Sequence, residues 1–334
     1  MEGAFIKSKG SKLMERYLID VSIDGDCTNL CALAVLNVLS KRGEARILAS
    51  TGNLNTPLAT GCIKKINEYY GDQEIPVGIL HRRQEPHPSI FLEPVNEMFC
   101  PDKPDGEDAP DSVNVMRRAL AEEADGSVIM LVVGCFASFA DLLRSGPDAI
   151  SPYSGMELAE KKISRVVAMA GQFQIFDDKV MRENNIVTDV PDAQYVMDHW
   201  KGELVLMDFE LGYAIRTLKE FRFHETAACP LRLMYRLTDS DVGDVSSAKW
   251  EKGNPSWDPA AVLEAVRPGK YFAYHEYGRI EVSDDGVTTW HEDKDGRQTY
   301  LLPKIPTEEV AAVLNDIIFP DWRKYVGMNN PVHE

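Results

Sequence analysis

The sequence predicts an α/β fold with a mainly parallel central sheet flanked by helices and a small C-terminal extension of helix and strand. Apolar runs of four to seven residues alternate with longer amphipathic stretches through the first two-thirds of the chain, which is typical of βα units. Polar residues follow several of these runs directly, where an open parallel sheet carries its binding loops. No internal repeat is visible. We therefore expect one domain over residues 1–334, with residues 1–15 as a flexible arm.

Strands and helices alternate in order along the predicted βα region. The predicted strands are residues 16–20, 45–50, 75–80, 128–133, 166–170 and 204–207. The predicted helices are residues 30–40, 58–70, 112–124, 139–144 and 193–200, and a Pro- and Asp-rich excursion occupies residues 85–109. The last third has a loop at 239–255, a helix at 259–266, alternating runs at 271–275 and 279–282, and a closing helix at 307–319.

Composition excludes several classes of protein. Acidic residues outnumber basic ones by 53 to 36, a net charge of -17, so the chain would repel a nucleic acid. No apolar segment has the length of a signal peptide or of a membrane span, which predicts a soluble cytoplasmic protein. The six cysteines show no CxxC pairing, which indicates reduced and mostly buried thiols.

Six polar clusters at the ends of apolar runs indicate a common site. They lie at residues 20–29, 50–53, 133–135, 185–189, 209–212 and 256–258. Each cluster alone is also explained as a cap for the following helix, because Asp, Asn, Ser and Thr favour that position. Their recurrence at successive strand ends favours a ligand pocket.

The motifs that carry these clusters resemble those of the inosine-uridine preferring nucleoside hydrolase family, in order and over nearly the whole chain. The resembling segments are DVSIDGDCTNL, STGNLNT, VGCFASFADLLRSGPDAISPYSG, VVAMAGQF, ENNIVTDVPDAQYV, ELVLMDFELGYAI and SWDPAAVLEAV. The resemblance implies a small-molecule substrate of the nucleoside or N-glycoside class and a homo-oligomer. It also implies a calcium ion held by aspartates of the first loop, by the carbonyl of Val133 and by Asp258.

Residue by residue, the resemblance assigns roles to individual positions. Asp20 corresponds to the family's first aspartate and, like Asp258, to a calcium ligand. Asn53, Asn185 and Glu210 correspond to positions that hold the sugar. The neighbouring Trp257 is a candidate to stack on a planar ring, although it is equally explained as a core aromatic.

Three positions of the first loop depart from the family pattern. Ser22 stands at the usual second aspartate, which resembles the general base, and Thr28 and Asn29 stand at the usual adjacent aspartate pair. A serine hydroxyl with an ordinary pKa is no base near neutral pH. Neutral residues also supply no charge to offset the desolvation of a cation. The sequence therefore predicts an impaired or rebuilt calcium site.

Two acidic residues of the same loop offer a way to rebuild that site. Asp24 and Asp26 would join Asp20 and Asp258 in a new carboxylate cluster if the loop were re-threaded, with Asp26 as an alternative catalytic residue beside Asp20 and Ser22. The other interpretation makes Asp24 and Asp26 solvated loop and cap residues.

Two functions follow from these observations. One is a hydrolase that acts on a nucleoside-like N-glycoside with a rebuilt calcium site. The other is a metal-free descendant that binds or transforms a different small molecule without hydrolysis. His224, His275 and His291 fall where the family often places leaving-group residues, but the sequence fixes none of them in the pocket.

Overall fold

The computed structural model describes residues 14–23, 26–53, 57–71, 74–82, 89–99, 109–174, 182–223, 229–238 and 252–327. The predicted arm at residues 1–15 falls mostly outside these ranges, and so does most of the predicted loop at 239–255. Within the described ranges, no helix is both long enough and apolar enough to cross a bilayer.

The described elements follow the predicted alternation closely. The strands are β1 Arg16–Val21, β2 Arg46–Gly52, β3 Val77–Ile79, β4 Val128–Val133, β5 Ile163–Met169, β6 Glu203–Met207, β7 Arg216–Thr217, β8 Asn254–Pro255, β9 Phe272–Tyr274, β10 Gly278–Val282, β11 Thr288–Glu292 and β12 Gln298–Pro303. The helices are α1 Thr28–Lys41, α2 Pro57–Tyr70, α3 Leu92–Phe99, α4 Ser112–Glu122, α5 Ala137–Arg144, α6 Gly155–Lys162, α7 Asn184–Val187, α8 Val190–His199, α9 Phe209–Ala214, α10 Pro230–Thr238, α11 Trp257–Val266 and α12 Thr307–Ile318. Two 3₁₀ helices span Lys219–Phe223 and Trp322–Tyr325.

The central sheet has ten strands, and its main path runs β11-β10-β12-β6-β5-β4-β1-β2-β3, with β9 paired to β12. The strands from β3 through to β12 along this path are mutually parallel. The strands β9, β10 and β11 are antiparallel additions at the far edge. The predicted mainly parallel sheet with a C-terminal extension is confirmed.

Helices cover both faces of the sheet because its parallel strands are apolar on both sides. Every residue of β4, VIMLVV, is buried. On one face α1, α2, α11 and α12 pack over the side chains of Tyr17, Ile19 and Val21. On the other face α4, α5 and α8 pack over Leu18, Met130 and neighbouring residues.

The direction of chain progression reverses between β1 and β4, which lie side by side at the centre of the sheet. The loops that leave these two strands turn to opposite sides, which opens a crevice at their carboxyl ends. In the parallel register, Asp20 of β1 pairs with Thr51 of β2 and with Val132 of β4. The strand ends that carry the polar clusters are therefore level with one another.

Several elements were not predicted from the sequence. The strand β12 lies parallel to β6 inside the sheet, and its burial does not alternate along the strand as that of a half-exposed strand does. The helix α3 lies within the segment predicted as an irregular excursion, and α6 and α10 were also missed. All three helices are short, so each offers little periodicity from which to recognise it.

Candidate functional site

The loop that leaves β1 meets the end of β2 through a closed set of hydrogen bonds. The Ser22 hydroxyl donates to Asn53 Oδ1 at 2.7 Å and accepts from the backbone N–H of Cys135 at 3.1 Å. Asn53 Nδ2 donates to the carbonyl of Cys135 at 2.9 Å. Ser22 and Asn53 are both buried. The two side chains thus tie the ends of β1, β2 and β4 together.

Gly134 makes this close approach possible. Its φ angle is +145°, and a Cβ atom at this position would lie 2.2 Å from Ser22 Oγ and 2.5 Å from the Ser22 nitrogen. Only a residue without a side chain fits there. The chain therefore passes directly over Ser22, and the hydroxyl is held in one place.

Two further hydrogen bonds join the start of α1 to other elements of the crevice. The Thr28 hydroxyl donates to Asp258 Oδ2 at 2.6 Å, and Asn29 Nδ2 donates to the carbonyl of Val133 at 3.1 Å. Thr28, Asn29 and Asp258 are all buried. We call Ser22, Thr28, Asn29, Asn53 and Asp258 the switch-point site.

A cavity of about 150 Å³ opens beside the switch-point site. The described residues that line it are Asp26, Asn29, Met169, Arg182, Glu183, Asn184, Asn185, Phe209, Trp257 and Asp258. Pockets for small molecules usually have about 300–1,000 Å³, so this cavity is small. Its lining combines carboxylates and amides with two aromatic rings, one guanidinium group and one methionine.

Asn185 is a predicted sugar-binding residue that lines the cavity. Its Nδ2 donates to the carbonyl of Met169 at 2.9 Å, which ties it to the end of β5. Glu183, which sequence reasoning missed, positions this segment: its carboxylate accepts from the N–H groups of Gly171, Asn185 and Ile186. The Glu-x-Asn spacing at the start of a short helix is the signal that could have identified it.

Trp257 and Phe209 form the aromatic side of the cavity. Their ring centroids are 5.5 Å apart, and Trp257 Nε1 donates to the carbonyl of Phe209 at 2.9 Å. A Cβ at Gly212 would lie 2.3 Å from the Trp257 ring, so α9 packs closely against the start of α11. Sequence reasoning named Trp257 and missed Phe209, which precedes the predicted Glu210.

Asp26 lines the cavity and also serves the local backbone. Its Oδ1 accepts from the N–H of Thr28 at 2.9 Å, in the first turn of α1. Asp24 lies outside the described residues. Of the four carboxylates in the predicted re-threaded cluster, the structure describes Asp20, Asp26 and Asp258. Of these three, Asp26 and Asp258 line the cavity.

Asp20 lies beneath the switch-point site and is not among the described residues that line the cavity. It is fully buried, and its Oδ1 accepts from the Thr51 hydroxyl at 2.6 Å. Burial raises the pKa of Asp20 to about 7, against the opposing effect of the hydrogen bond from Thr51 and of the polar side chains of Asn53 and Ser138. Among the described residues, Asp20 Oδ2 has no hydrogen-bond partner.

Glu210 is not among the described residues that line the cavity, and its carboxylate contacts the loop after β5. Its Oε1 accepts from the N–H groups of Phe173, at 2.9 Å, and Gln174. Burial raises the pKa of the Glu210 carboxyl. Of the described residues that line the cavity, four were predicted as site residues: Asp26, Asn185, Trp257 and Asp258.

The histidines that were considered as leaving-group residues are placed elsewhere or not described. His275 stacks on Tyr300 with ring centroids 4.4 Å apart, and His291 Nε2 lies 3.0 Å from Glu281 Oε2. His224 lies outside the described residues. Neither His275 nor His291 is among the described residues that line the cavity.

The residues present fit the family's calcium ion poorly. Calcium takes about six to eight oxygen ligands, and carboxylates supply most of the compensating charge. Here the Asp258 carboxylate accepts a hydrogen bond from Thr28, and the Val133 carbonyl accepts one from Asn29. Within the described ranges, no group of three or more His, Cys, Asp or Glu side chains is arranged to hold a metal.

Comparisons with known proteins agree with the fold and its motifs. The structure of the inosine-uridine preferring nucleoside hydrolase from Bacillus anthracis aligns with a TM-score of 0.68 and 14% identity, covering 93% of this chain and 100% of that one. The plant nucleoside hydrolase PpNRh1 aligns with a TM-score of 0.67 and 17% identity, covering 91% and 99%.

The type III effector protein XopQ, in complex with adenosine diphosphate ribose, aligns with a TM-score of 0.60 and 13% identity, covering 92% and 94%. Among curated proteins, none matches the chain at a significant level. The family model described as inosine-uridine preferring nucleoside hydrolase matches residues 21–312, which is most of the chain. The strand order, the crevice between β1 and β4, and this match together establish that the chain belongs to the inosine-uridine preferring nucleoside hydrolase family.

Proposed function

We propose that the cavity binds the ribosyl part of a nucleoside-like N-glycoside. The observation that carries this proposal is the pairing of acceptor groups and aromatic rings around one small cavity. Asn29 Oδ1 is buried with no hydrogen-bond partner among the described residues, and Asn29, Asp26 and Asp258 all line the cavity. Acceptors of this kind match the hydroxyl donors of a sugar, and Trp257 offers a surface for a planar ring.

Hydrolysis by the family's calcium-water route is not supported by the residue at the base position. The Ser22 hydroxyl is engaged by Asn53 and Cys135, and Ser22 is not among the described residues of the cavity wall. General-base catalysis is typically worth about 10²–10⁴-fold in rate. We therefore propose that the protein binds common ribonucleosides and hydrolyses them at least about 10²-fold more slowly than other family members do.

A second candidate function is a hydrolase with a relocated base, and one observation favours it. The Asp26 carboxylate lines the cavity beside Asp258, at the helix start that the family uses for its aspartates. If Asp26 activated the water, hydrolysis would proceed without Ser22. The substitution Asp26→Asn would then abolish turnover while leaving ligand binding nearly intact.

Ligand binding is tested by calorimetry on the full chain with inosine, uridine, ribose and adenosine diphosphate ribose as probes. We expect at least one ribosylated probe to bind, and Trp257→Leu to weaken it about tenfold, because stacking on one base is worth about 1–3 kcal/mol. Tyr153→Ala, which removes an exposed aromatic ring, is the matched control. Failure of every probe to bind the unaltered protein would refute the proposal.

Release of the free base is followed by chromatography, with calcium or with a chelator. Calcium-dependent turnover at a rate typical of the family would contradict slow hydrolysis, and turnover lost in Asp26→Asn would select the relocated base. A homo-oligomer and a cytoplasmic location also remain predictions of the sequence. Sedimentation at micromolar concentration and cell fractionation test them.

A further inference from the structure

The three residues that replace family aspartates each donate a hydrogen bond to a neighbouring group of the crevice. Ser22 donates to Asn53, Thr28 to Asp258 and Asn29 to the Val133 carbonyl, over distances of 2.7, 2.6 and 3.1 Å. An aspartate carboxylate at these positions would have only acceptors to offer. The replacements thus convert acceptors into donors, and each donor faces an acceptor.

The acceptors that receive the bonds from Thr28 and Asn29 are the groups to which the family resemblance assigns calcium. In a site that contained only acceptors, a bound cation would hold these two oxygen atoms together. Here the hydroxyl group of Thr28 and the amide nitrogen of Asn29 donate to them instead. The orientation of the Asn29 amide follows from its neighbour, since the Val133 carbonyl only accepts and so must face the nitrogen.

These bonds join the same elements that a metal ion would join. They connect the end of β1 and the start of α1 with the ends of β2 and β4 and with the first turn of α11. The groups are buried, and carboxylates packed there without a cation would repel one another and incur a large desolvation cost. Neutral donors remove both costs.

We propose that Ser22, Thr28 and Asn29 replace the calcium ion as the cross-link of this crevice, so that the pocket of this chain is organised without a metal. The inference holds whichever ligand enters the cavity. It concerns what keeps the strand ends together, so it is tested by metal binding and thermal stability and does not depend on catalytic activity.

The first test measures calcium binding to the unaltered full-length protein by calorimetry, together with its Tm in calcium and in chelator. We expect no binding heat at about 1 mM calcium and the same Tm in both conditions. A bound calcium ion, with the free calcium concentration about a hundredfold above the Kd, would raise the Tm by about 5 °C. Stoichiometric binding with such a rise would overturn the proposal.

The second test restores the acceptors with the double variant Thr28→Asp/Asn29→Asp. We expect this variant to melt below the unaltered protein in chelator and to recover by about 5 °C in calcium. The matched control Asn114→Asp adds one acid on the exposed side of α4 and should show no calcium response. A double variant that responds to calcium no more than this control does would contradict the proposal.

The third test needs no acidic substitution and keeps the proposal falsifiable if the double variant does not fold. Thr28→Val removes only the hydroxyl bond to Asp258 and should lower the Tm by about 3–6 °C, equally in calcium and in chelator. Thr28→Ser retains the hydroxyl and should recover most of that loss. Equal Tm values for the valine and serine variants would show that the bond does not hold the crevice.

Discussion

Two clusters of polar side chains, one buried and one partly exposed, are stabilised in opposite ways. The switch-point site at β1 and β4 is held by neutral donors at positions where the family has carboxylates. The second region, which we call the arginine cluster, comprises Arg82, Arg144, Asp141, Asp189 and Asp192. There Asp192 accepts from both guanidinium groups, and Arg82 Nη2 also lies 2.9 Å from Asp189 Oδ2.

The difference shows what a buried carboxylate needs in this molecule. Burial tends to raise the pKa of Asp192, but the hydrogen bonds from Arg82 and Arg144 bring its pKa below the ordinary value. Asp20 lies beneath the switch-point site with hydroxyl and amide partners, and burial raises its pKa to about 7. The two guanidinium groups favour the charged form of Asp192, whereas the switch-point site has neutral groups at three positions where the family has carboxylates.

The largest expected effect tests how tightly the switch-point site is closed. Gly134→Ala should lower the free energy of unfolding by about 3 kcal/mol, because the new methyl group overlaps Ser22 and the positive φ angle strains any other residue. Denaturant titration followed by circular dichroism measures the loss.

Gly126→Ala is the control for backbone strain alone. Its φ is +60°, and a Cβ there would meet nothing within 4 Å, so we expect a loss of only about 1 kcal/mol. Equal losses for the two variants would mean that the close approach of Gly134 to Ser22 contributes nothing.

A smaller effect is expected in the arginine cluster. Asp192→Asn removes the carboxylate shared by Arg82 and Arg144, whose side chains are each 35% exposed. Breaking a fully buried pair costs about 3–5 kcal/mol, and the partial exposure of both arginines reduces our expectation to about 2 kcal/mol. The same denaturant titration measures it.

The more exposed carboxylate of the cluster provides the comparison. Asp141 lies 3.5 Å from Arg82 and 3.6 Å from Arg144, so Asp141→Asn should cost less than about 1 kcal/mol. If Asp192→Asn were as mild as Asp141→Asn, the arginines would not be what allows Asp192 to remain buried.

The fold was predictable because its parallel strands are apolar on both faces. The run VIMLVV is a strand by composition and length alone, and it was assigned with the bounds of β4. The strand β12 was missed because its position beside β6 depends on pairing with residues about ninety positions earlier in the chain. No local pattern records such a pairing.

The candidate site was predictable at its strand ends and less so in its side-chain directions. The spacing of Asp26, Asn185, Trp257 and Asp258 in the motifs pointed to residues that line the cavity. The assignment of Glu210 to the sugar followed from its motif, whereas its carboxylate faces the N–H groups of Phe173 and Gln174. The donor role of Asn29 also depends on where Val133 lies in three dimensions.

A further expected effect concerns a buried carboxylate that has no arginine partner in any described contact. Asp208 caps α9, with its Oδ1 accepting from the N–H of Leu211 at 2.9 Å, and burial together with the charge of Glu210 raises its pKa to about 8. A raised pKa stabilises the protein below the ordinary value of about 4, and this contribution is lost as the pH rises through 8. An asparagine at this position would keep the cap acceptor but would not titrate. The unfolding free energy of Asp208→Asn should therefore rise relative to that of the unaltered protein, by about 1.5 kcal/mol from about pH 5.5 to pH 7.5. This is less than the limit of about 1.4 kcal/mol per pH unit because the surroundings relax around the charge.

Asp208→Ala should show the same slope at a stability lower by about 1 kcal/mol, since it loses the cap. Unfolding free energies measured across this range would contradict the expectation if the curves of the unaltered protein and the asparagine variant ran parallel.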